Sequence, residues 1–522
     1  MILKELNLIP EPVNISLKEG TFTLNEQTLI LIEGKLKNIA EQLKQFFSLK
    51  LGLNINIEED NQIKEHPNVI TLKTFNDEKK LDYEGYKLLV SQDRIEIVSS
   101  TPKGVFYGTQ TLRQLISPNI TDNKNESSVF CIPCVDIEDY PRFQWRGFML
   151  DEARHFFGKE VVKSILDVLA FLKFNKFHWH LTDDQGWRIE IKKYPLLTEI
   201  GSKREGTITA RQKKLLCSEI QKIPIDGIPV TGYYTQDDLK EMINYAHQRF
   251  ITIIPEIDIP GHTTALLASY PNLSCTGGPF EVSTRFRVHR DVLCVGNSEV
   301  FEFLKNVLDE IINIFPSKII HIGGDEVPTM RWKDCPKCQA LLKSEGLESV
   351  LDLQPYFTNK ICEYLASKGC KVTVWNDILN DDLVSNAICQ YWLNNFNTVI
   401  EHIQKGRKVI ISEFNAFYLD YPYKQIPLHQ AYNYDPVPNY LEEKFHKNIL
   451  GLEACQWTEF IPTKEILDWQ TFPRLIAVSE TAWTPKKKKN YAAFLKRLDN
   501  FLPLLKEFDV HYPSKEEYLQ EH

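Results

Sequence analysis

Short runs alternate apolar and polar positions early in the chain: Val69-Ile-Thr-Leu72, Tyr86-Lys-Leu-Leu-Val90 and Arg94-Ile-Glu-Ile-Val98. Such runs predict strands with one buried face. Ser91-Gln-Asp93 supplies a turn between the last two, because short polar side chains bond their own backbone there. Apolar residues at helical spacing predict one helix over 36–51 and another over 104–116. Residues 1–140 therefore read as a small α+β domain. The polar stretch Thr121–Ser128 and the Cys131-Ile-Pro-Cys134 that follows read as the linker out of it.

Beyond Pro141 the pattern becomes a series of pairs, each a short β-rich run followed by a longer amphipathic stretch. The runs are Gly147–Leu150, Lys176–Leu181, Thr252–Ile257, Lys318–Ile322, Lys371–Trp375, Ile388–Trp392, Val409–Ser412 and Leu450–Ala454. Alternating strands and helices build a parallel sheet, and eight such units close a (β/α)8 TIM barrel. The expected fold class is α/β, with a catalytic barrel over 141–522. That span exceeds the roughly 250 residues of a typical barrel, so insertions are expected at 205–230 and 414–443.

Composition then removes whole classes of function. The 522 residues carry 61 Lys and Arg against 70 Asp and Glu, a net charge of −9. No basic excess is available to neutralise phosphates, so nucleic acid is not an expected partner. The run Lys486–Lys489 reads as a solvated loop or helix start. No stretch approaches the roughly 20 apolar residues of a membrane span, and Met1–Pro10 lacks the apolar core of a signal peptide. The compartment stays open: periplasmic or secreted if a leader has been removed, cytoplasmic otherwise. Oligomeric state is not legible. Eleven scattered cysteines argue against a full disulfide framework. Cys335-Pro-Lys-Cys338 has zinc-knuckle spacing, but no second pair follows it nearby. It reads as a local disulfide or two packed thiols, and neither metal nor cofactor is expected.

Active sites of such barrels form at the C-terminal ends of the strands. Those ends here are Asp151-Glu-Ala-Arg154-His155, Asp183-Asp184-Gln-Gly-Trp187, Glu256-Ile-Asp258 with Pro260-Gly261-His262, and Gly323-Gly324-Asp325-Glu326, followed by Trp375-Asn376-Asp377, Tyr391-Trp392, Tyr418-Leu-Asp420 and Trp457-Thr-Glu459. Carboxylates beside planar aromatics suit a sugar: acids bond hydroxyls, indoles cover apolar sugar faces, and a raised-pKa acid can protonate a glycosidic oxygen. Neither a Walker-type phosphate loop nor a GxSxG nucleophile is present. His178, His180, Asp183 and His262 could be ligands, which keeps a metal hydrolase open, but residues 178 and 180 alternate along a strand to one face, where packed core serves as well. Asp325-Glu326 is central. Two glycines at a strand end let the chain turn so that both carboxylates reach one pocket, where paired acids split in pKa.

Together these motifs resemble glycoside hydrolase family 20, the β-N-acetylhexosaminidases, over almost the full chain. The matching series is Asp151-x-x-Arg154-His155, His178-Trp-His-Leu-x-Asp183-Asp184, Pro255-Glu-x-Asp-x-Pro-Gly-His262, His321-x-Gly-Gly-Asp-Glu326, Trp375, Trp392, Tyr418-x-Asp420 and Trp457-x-Glu459, with Gly104-Val-Phe-Tyr-Gly-Thr-Gln-Thr-Leu112 resembling the close of the preceding small domain. The resemblance implies a retaining mechanism without an enzyme nucleophile, in which the substrate's own 2-acetamido oxygen attacks the anomeric carbon. Glu326 would be the general acid and then base, its pKa high enough to hold a proton. Asp325 and Tyr418 would hold the acetamido group and stabilise an oxazolinium ion. Trp375, Trp392 and Trp457 would wall the acetamido pocket, while Arg154, Asp420 and Glu459 bond the hydroxyls of a terminal sugar. Asp183, or Asp184 beside it, would stand with His262 behind Glu326. Asp377 is left as a hydroxyl contact, and Trp332 as either a leaving-group wall or surface. The implied substrate is a glycan ending in β-linked GlcNAc, or its GalNAc epimer. Alternatives are a lacto-N-biosidase or chitobiase of the same family, and a catalytically silent glycan-binding barrel.

Overall fold

The computed structural model describes residues 6–59, 67–75, 83–122, 129–209, 223–379, 383 and 387–520. Its first part is a mixed seven-stranded sheet, in the order Asn14–Leu24, Phe130–Asp139, Tyr86–Val90, Arg94–Ser99, Val69–Thr74, Leu29–Ile32 and Asn56–Glu59. The helices Lys37–Leu51 and Pro102–Asp122 accompany it, and apolar faces of both elements share one core with Phe46, Phe47 and Tyr107. The stretch expected as a linker is in part a strand. Cys131-Ile-Pro-Cys134 lies within Phe130–Asp139, where Pro133 pairs with Thr21 beside a register shift. A proline interrupts the strand signal, yet an irregular pairing tolerates its missing N–H. Residues 123–128 of the expected linker and 210–222 of the insertion expected at 205–230 lie outside the described residues.

The second part is a closed barrel of eight parallel strands: Trp145–Asp151, Lys176–His180, Thr252–Glu256, Ile319–His321, Lys371–Trp375, Ile388–Tyr391, Val409–Ile411 and Ile449–Gln456. The eighth pairs with the first, so no edge is left. All eight expected runs are the barrel strands. The insertion at 414–443 holds two short helices, Phe414–Phe417 and Leu428–Asn433.

A buried polar cluster joins sheet and barrel. Asp139, at the end of a sheet strand, accepts from Lys173 at 2.9 Å, from Tyr86 at 2.7 Å and from the Trp483 indole at 2.9 Å. Each donor comes from a different element, so the cluster fixes relative position as well as satisfying charge. The cysteine pair takes the second of its two expected forms, packed thiols. Cys335 and Cys338 are not bonded to one another; their sulfurs gather with those of Cys275 and Cys294.

Candidate active site

The barrel interior beneath the strand ends is polar where branched aliphatics would be usual. Glu256 accepts from Trp375 at 2.9 Å and lies 2.9 Å from His321, 3.0 Å from His178 and 2.5 Å from His180. Glu453 accepts from Trp145 and Gln390, both at 2.8 Å, and meets His178 at 2.8 Å. Burial alone would raise Glu256, but His180, His321 and His178 hold it well below its ordinary value. Against burial, Glu453 and Glu256 lift His178 to about 9. His178 and His180 thus belong to a buried ion network under the site floor, with Glu256 as its hub.

Above this floor the chain turns sharply. Gly323 and Gly324 have φ of +63° and +94°. A Cβ on Gly323 would stand 1.8 Å from Asp258 Oδ1, and the Gly324 N–H donates to that same oxygen at 3.1 Å. This turn brings both Asp325 and Glu326 to the cleft, as two glycines at a strand end allow. Glu326 and His262 also hold positive φ, +50° and +49°, a conformation that costs energy in non-glycine residues and concentrates at functional sites.

His262 reaches the acid pair from the neighbouring loop. Its Nε2 lies 3.5 Å from Glu326 and 3.8 Å from Asp325, and its Nδ1 lies 3.1 Å from Asp184 and 3.3 Å from Asp183. Both aspartates therefore back the imidazole, Asp184 at the shorter distance. Asp183 also bonds His180 at 3.0 Å and Arg154 at 2.7 Å. Arg154 further donates to Asp151 at 3.1 Å and to Gln185 at 3.0 Å, with its guanidinium 5.0 Å above the Trp457 ring. The aromatic residues form one wall. Trp375 and Trp457 lie 5.9 Å apart, Tyr418 and Trp457 6.3 Å, and Tyr418 and Trp392 are stacked at 5.9 Å. The Trp392 indole donates to Asp377 at 2.6 Å, which ties that carboxylate to the wall. Asp420 is buried near Arg474, and Glu459 lies close enough to Arg154 to favour its charge.

Family models and solved structures agree on what this arrangement is. The model described as "Glycosyl hydrolase family 20, catalytic domain" matches residues 143–486, and "Glycosyl hydrolase family 20, domain 2" matches 5–140. The chain belongs to glycosyl hydrolase family 20. A β-hexosaminidase of Porphyromonas gingivalis is 36% identical over 98% of this chain, which spans 64% of that relative's length. A Vibrio harveyi family 20 exo-β-N-acetylglucosaminidase, solved with N-acetylglucosamine, superposes with a TM-score of 0.84 at 32% identity, covering 98% of this chain and 78% of that one. The β-N-acetylhexosaminidase of Bacteroides fragilis gives 0.81 at 31% identity, covering 97% and 96%.

The electrostatics of this family 20 site differ from the sequence expectation in one respect. Burial raises Asp325 to about 7, with Asp377 and Glu326 adding to the effect and His262 opposing it. The His262 contact lowers Glu326 despite burial. Burial therefore favours the protonated form of Asp325, whose side chain is 14% exposed, and the His262 contact favours the ionised form of Glu326, whose side chain is 42% exposed. Burial disfavours a charged His262, yet Asp183 and its hydrogen bonds raise it well above 6.5. Trp332, expected as wall or surface, is neither. It is fully buried and its indole donates to Leu293 at 2.9 Å. Sequence reading missed Arg474, a buried guanidinium donating to the carbonyls of Leu419, Tyr421 and Ile426 and so shaping the loop of Tyr418 and Asp420. Its place on a helix far along the chain gave no local signal.

Proposed function

We propose that this chain is an exo-acting β-N-acetylhexosaminidase. It releases terminal β-linked GlcNAc, and GalNAc as the epimer, by a retaining, substrate-assisted route. The observation that carries this reading is the aromatic wall of Trp375, Trp392, Tyr418 and Trp457, with Tyr418 close enough to Asp325 for their charges to interact. Such a wall holds an acetamido group in near-attack geometry and excludes competing water.

Asp325 Oδ1 is buried and accepts no hydrogen bond among the described residues, so it is placed to take the acetamido N–H. That bond favours the ionised carboxylate, and an anionic Asp325 stabilises the positive oxazolinium ion. Two coupled acids share their proton as a pair. When substrate ionises Asp325 and covers the exposed face of Glu326, the proton passes to Glu326. Glu326 then protonates the leaving oxygen as the acetamido oxygen bonds to the anomeric carbon, with Tyr418 donating to that oxygen. In the second half Glu326 takes a proton from water, which opens the oxazolinium ion and retains configuration. Charged His262, held by Asp183 and Asp184, orients Glu326 throughout. Arg154, Glu459 and Asp420 bond the hydroxyls of the terminal sugar. No step of this route calls for a cofactor.

Hydrolysis of p-nitrophenyl β-N-acetylglucosaminide by the wild type, Glu326→Gln and Asp325→Asn tests the reading, with a thiazoline analogue of the oxazolinium ion as inhibitor. Tight inhibition and loss of turnover in both variants are expected. Undiminished activity in Glu326→Gln would remove it from the acid/base role.

A further inference from the structure

Four cysteines converge beside the active-site loops. Cys275 and Cys294 belong to the long loop after the third barrel strand, and Cys335 and Cys338 to the segment after the fourth. Their sulfurs lie 3.9 Å apart for Cys275 and Cys338, 3.6 Å for Cys294 and Cys335, and 3.7 Å for Cys294 and Cys338. All four fall within 4.8 Å of one another. A disulfide would bring two sulfurs to about 2.05 Å. A zinc ion at about 2.3 Å from four thiolates instead places them at tetrahedral corners about 3.8 Å apart. The three separations bracket that value.

The surroundings fit a bound cation rather than four idle thiols. Cys294, Cys335 and Cys338 are buried and Cys275 is half-buried. Gly296 presses on the cluster: a Cβ there would stand 2.2 Å from the Lys337 carbonyl carbon, and its backbone N–H bonds the Cys338 sulfur. An amide pointing at sulfur favours the thiolate that a metal requires. Arg331, ion-paired to Asp291 at 2.7 Å, lies near enough to interact with Cys275 and offsets the negative charge of a tetrathiolate site.

We propose that Cys275, Cys294, Cys335 and Cys338 bind a structural zinc ion that ties the loop of His262 to the segment carrying Asp325 and Glu326. Thiolates are soft ligands that select zinc over magnesium or calcium, and four protein ligands leave no position for water or substrate. On binding, four thiols lose their protons to solvent and four Zn–S bonds form, with no change of oxidation state. The clamp has work to do here, because it restrains two loops that each hold a residue at strained positive φ, His262 and Glu326. The Trp332 to Leu293 hydrogen bond joins the same two segments. The two CxxC-like halves of a usual zinc site are absent: only Cys335 and Cys338 are close in sequence, and the fold supplies the rest.

The test uses the full chain, expressed in a reducing cytoplasm with zinc in the medium and purified without chelator. Elemental analysis is expected to give about one zinc per chain, and Cys335→Ser with Cys338→Ser is expected to lose it. Should that double variant fail to fold, the wild type still decides. Titration with a mercurial thiol reagent, read with a chromophoric zinc chelator, should release about one equivalent. Replacement by cobalt(II) should give the sulfur-to-cobalt charge-transfer absorption of a tetrathiolate. Two disulfides by mass after alkylation, four free thiols without metal, or iron in place of zinc would each overturn the proposal. None of these readouts depends on glycosidase activity.

Discussion

Asp325→Asn should abolish turnover and at the same time stabilise the protein above neutral pH. Burial raises Asp325 from 3.8 to about 7, so the folded state binds a proton there that the unfolded chain has already released. Stability then falls as pH rises through the window from 3.8 to about 7, because the native state binds more protons than the unfolded one. At 1.36 kcal/mol per pH unit the loss is at most about 4 kcal/mol. Asparagine keeps the shape and cannot ionise, so the variant escapes that loss. With an unfolding entropy of about 2.1 cal/mol/K per residue, a cooperative unit of 522 residues gains roughly 3–4 °C in Tm. The assay is calorimetry of wild type and variant at pH 4.5, 6 and 8, where titrating groups remote from residue 325 cancel in the difference. The gap in Tm should be small at pH 4.5 and grow to its full size at pH 8. A gap that does not change with pH, or a variant less stable than wild type at pH 8, would refute the assignment of the shared proton to Asp325.

Three further outcomes follow from the same geometry. The pH profile of kcat/KM should fall on its basic side near pH 7, where buried Asp325 releases its proton; constant activity to pH 9 would contradict this. Gly323→Ala should lose about 2–4 kcal/mol of stability by denaturant unfolding, since its Cβ would meet Asp258 at 1.8 Å in a backbone of φ +63°. Arg154→Lys should lower kcat/KM about 10- to 100-fold, chiefly through KM, because a single ammonium cannot span Asp151, Asp183 and Gln185 while facing a sugar hydroxyl.

Much of the molecule was legible in the chain. All eight barrel runs stood out because a parallel strand buried on both faces reads as a dense apolar run, and the site residues stood at the ends of those runs. The strands at Asn14–Leu24 and Phe130–Asp139 did not stand out. The first is mostly exposed, and the second carries a proline at an irregular pairing. The turn of Asp325-Glu326 could be inferred from its two glycines, whereas which of the two acids holds the proton could not. That depends on how much water each carboxylate keeps and on how His262 approaches, both set by separate loops.

The barrel, the order of its strands and the set of acids and aromatics at one end are already written in the chain, because periodicity and local turn chemistry are short-range properties. The partnerships come from folding: Glu256 among three histidines, Arg474 under the Tyr418 loop, and four cysteines within 4.8 Å of one another. Each joins residues far apart in the chain, and such contacts exist only after loop closure has brought their elements together, so no local pattern encodes them.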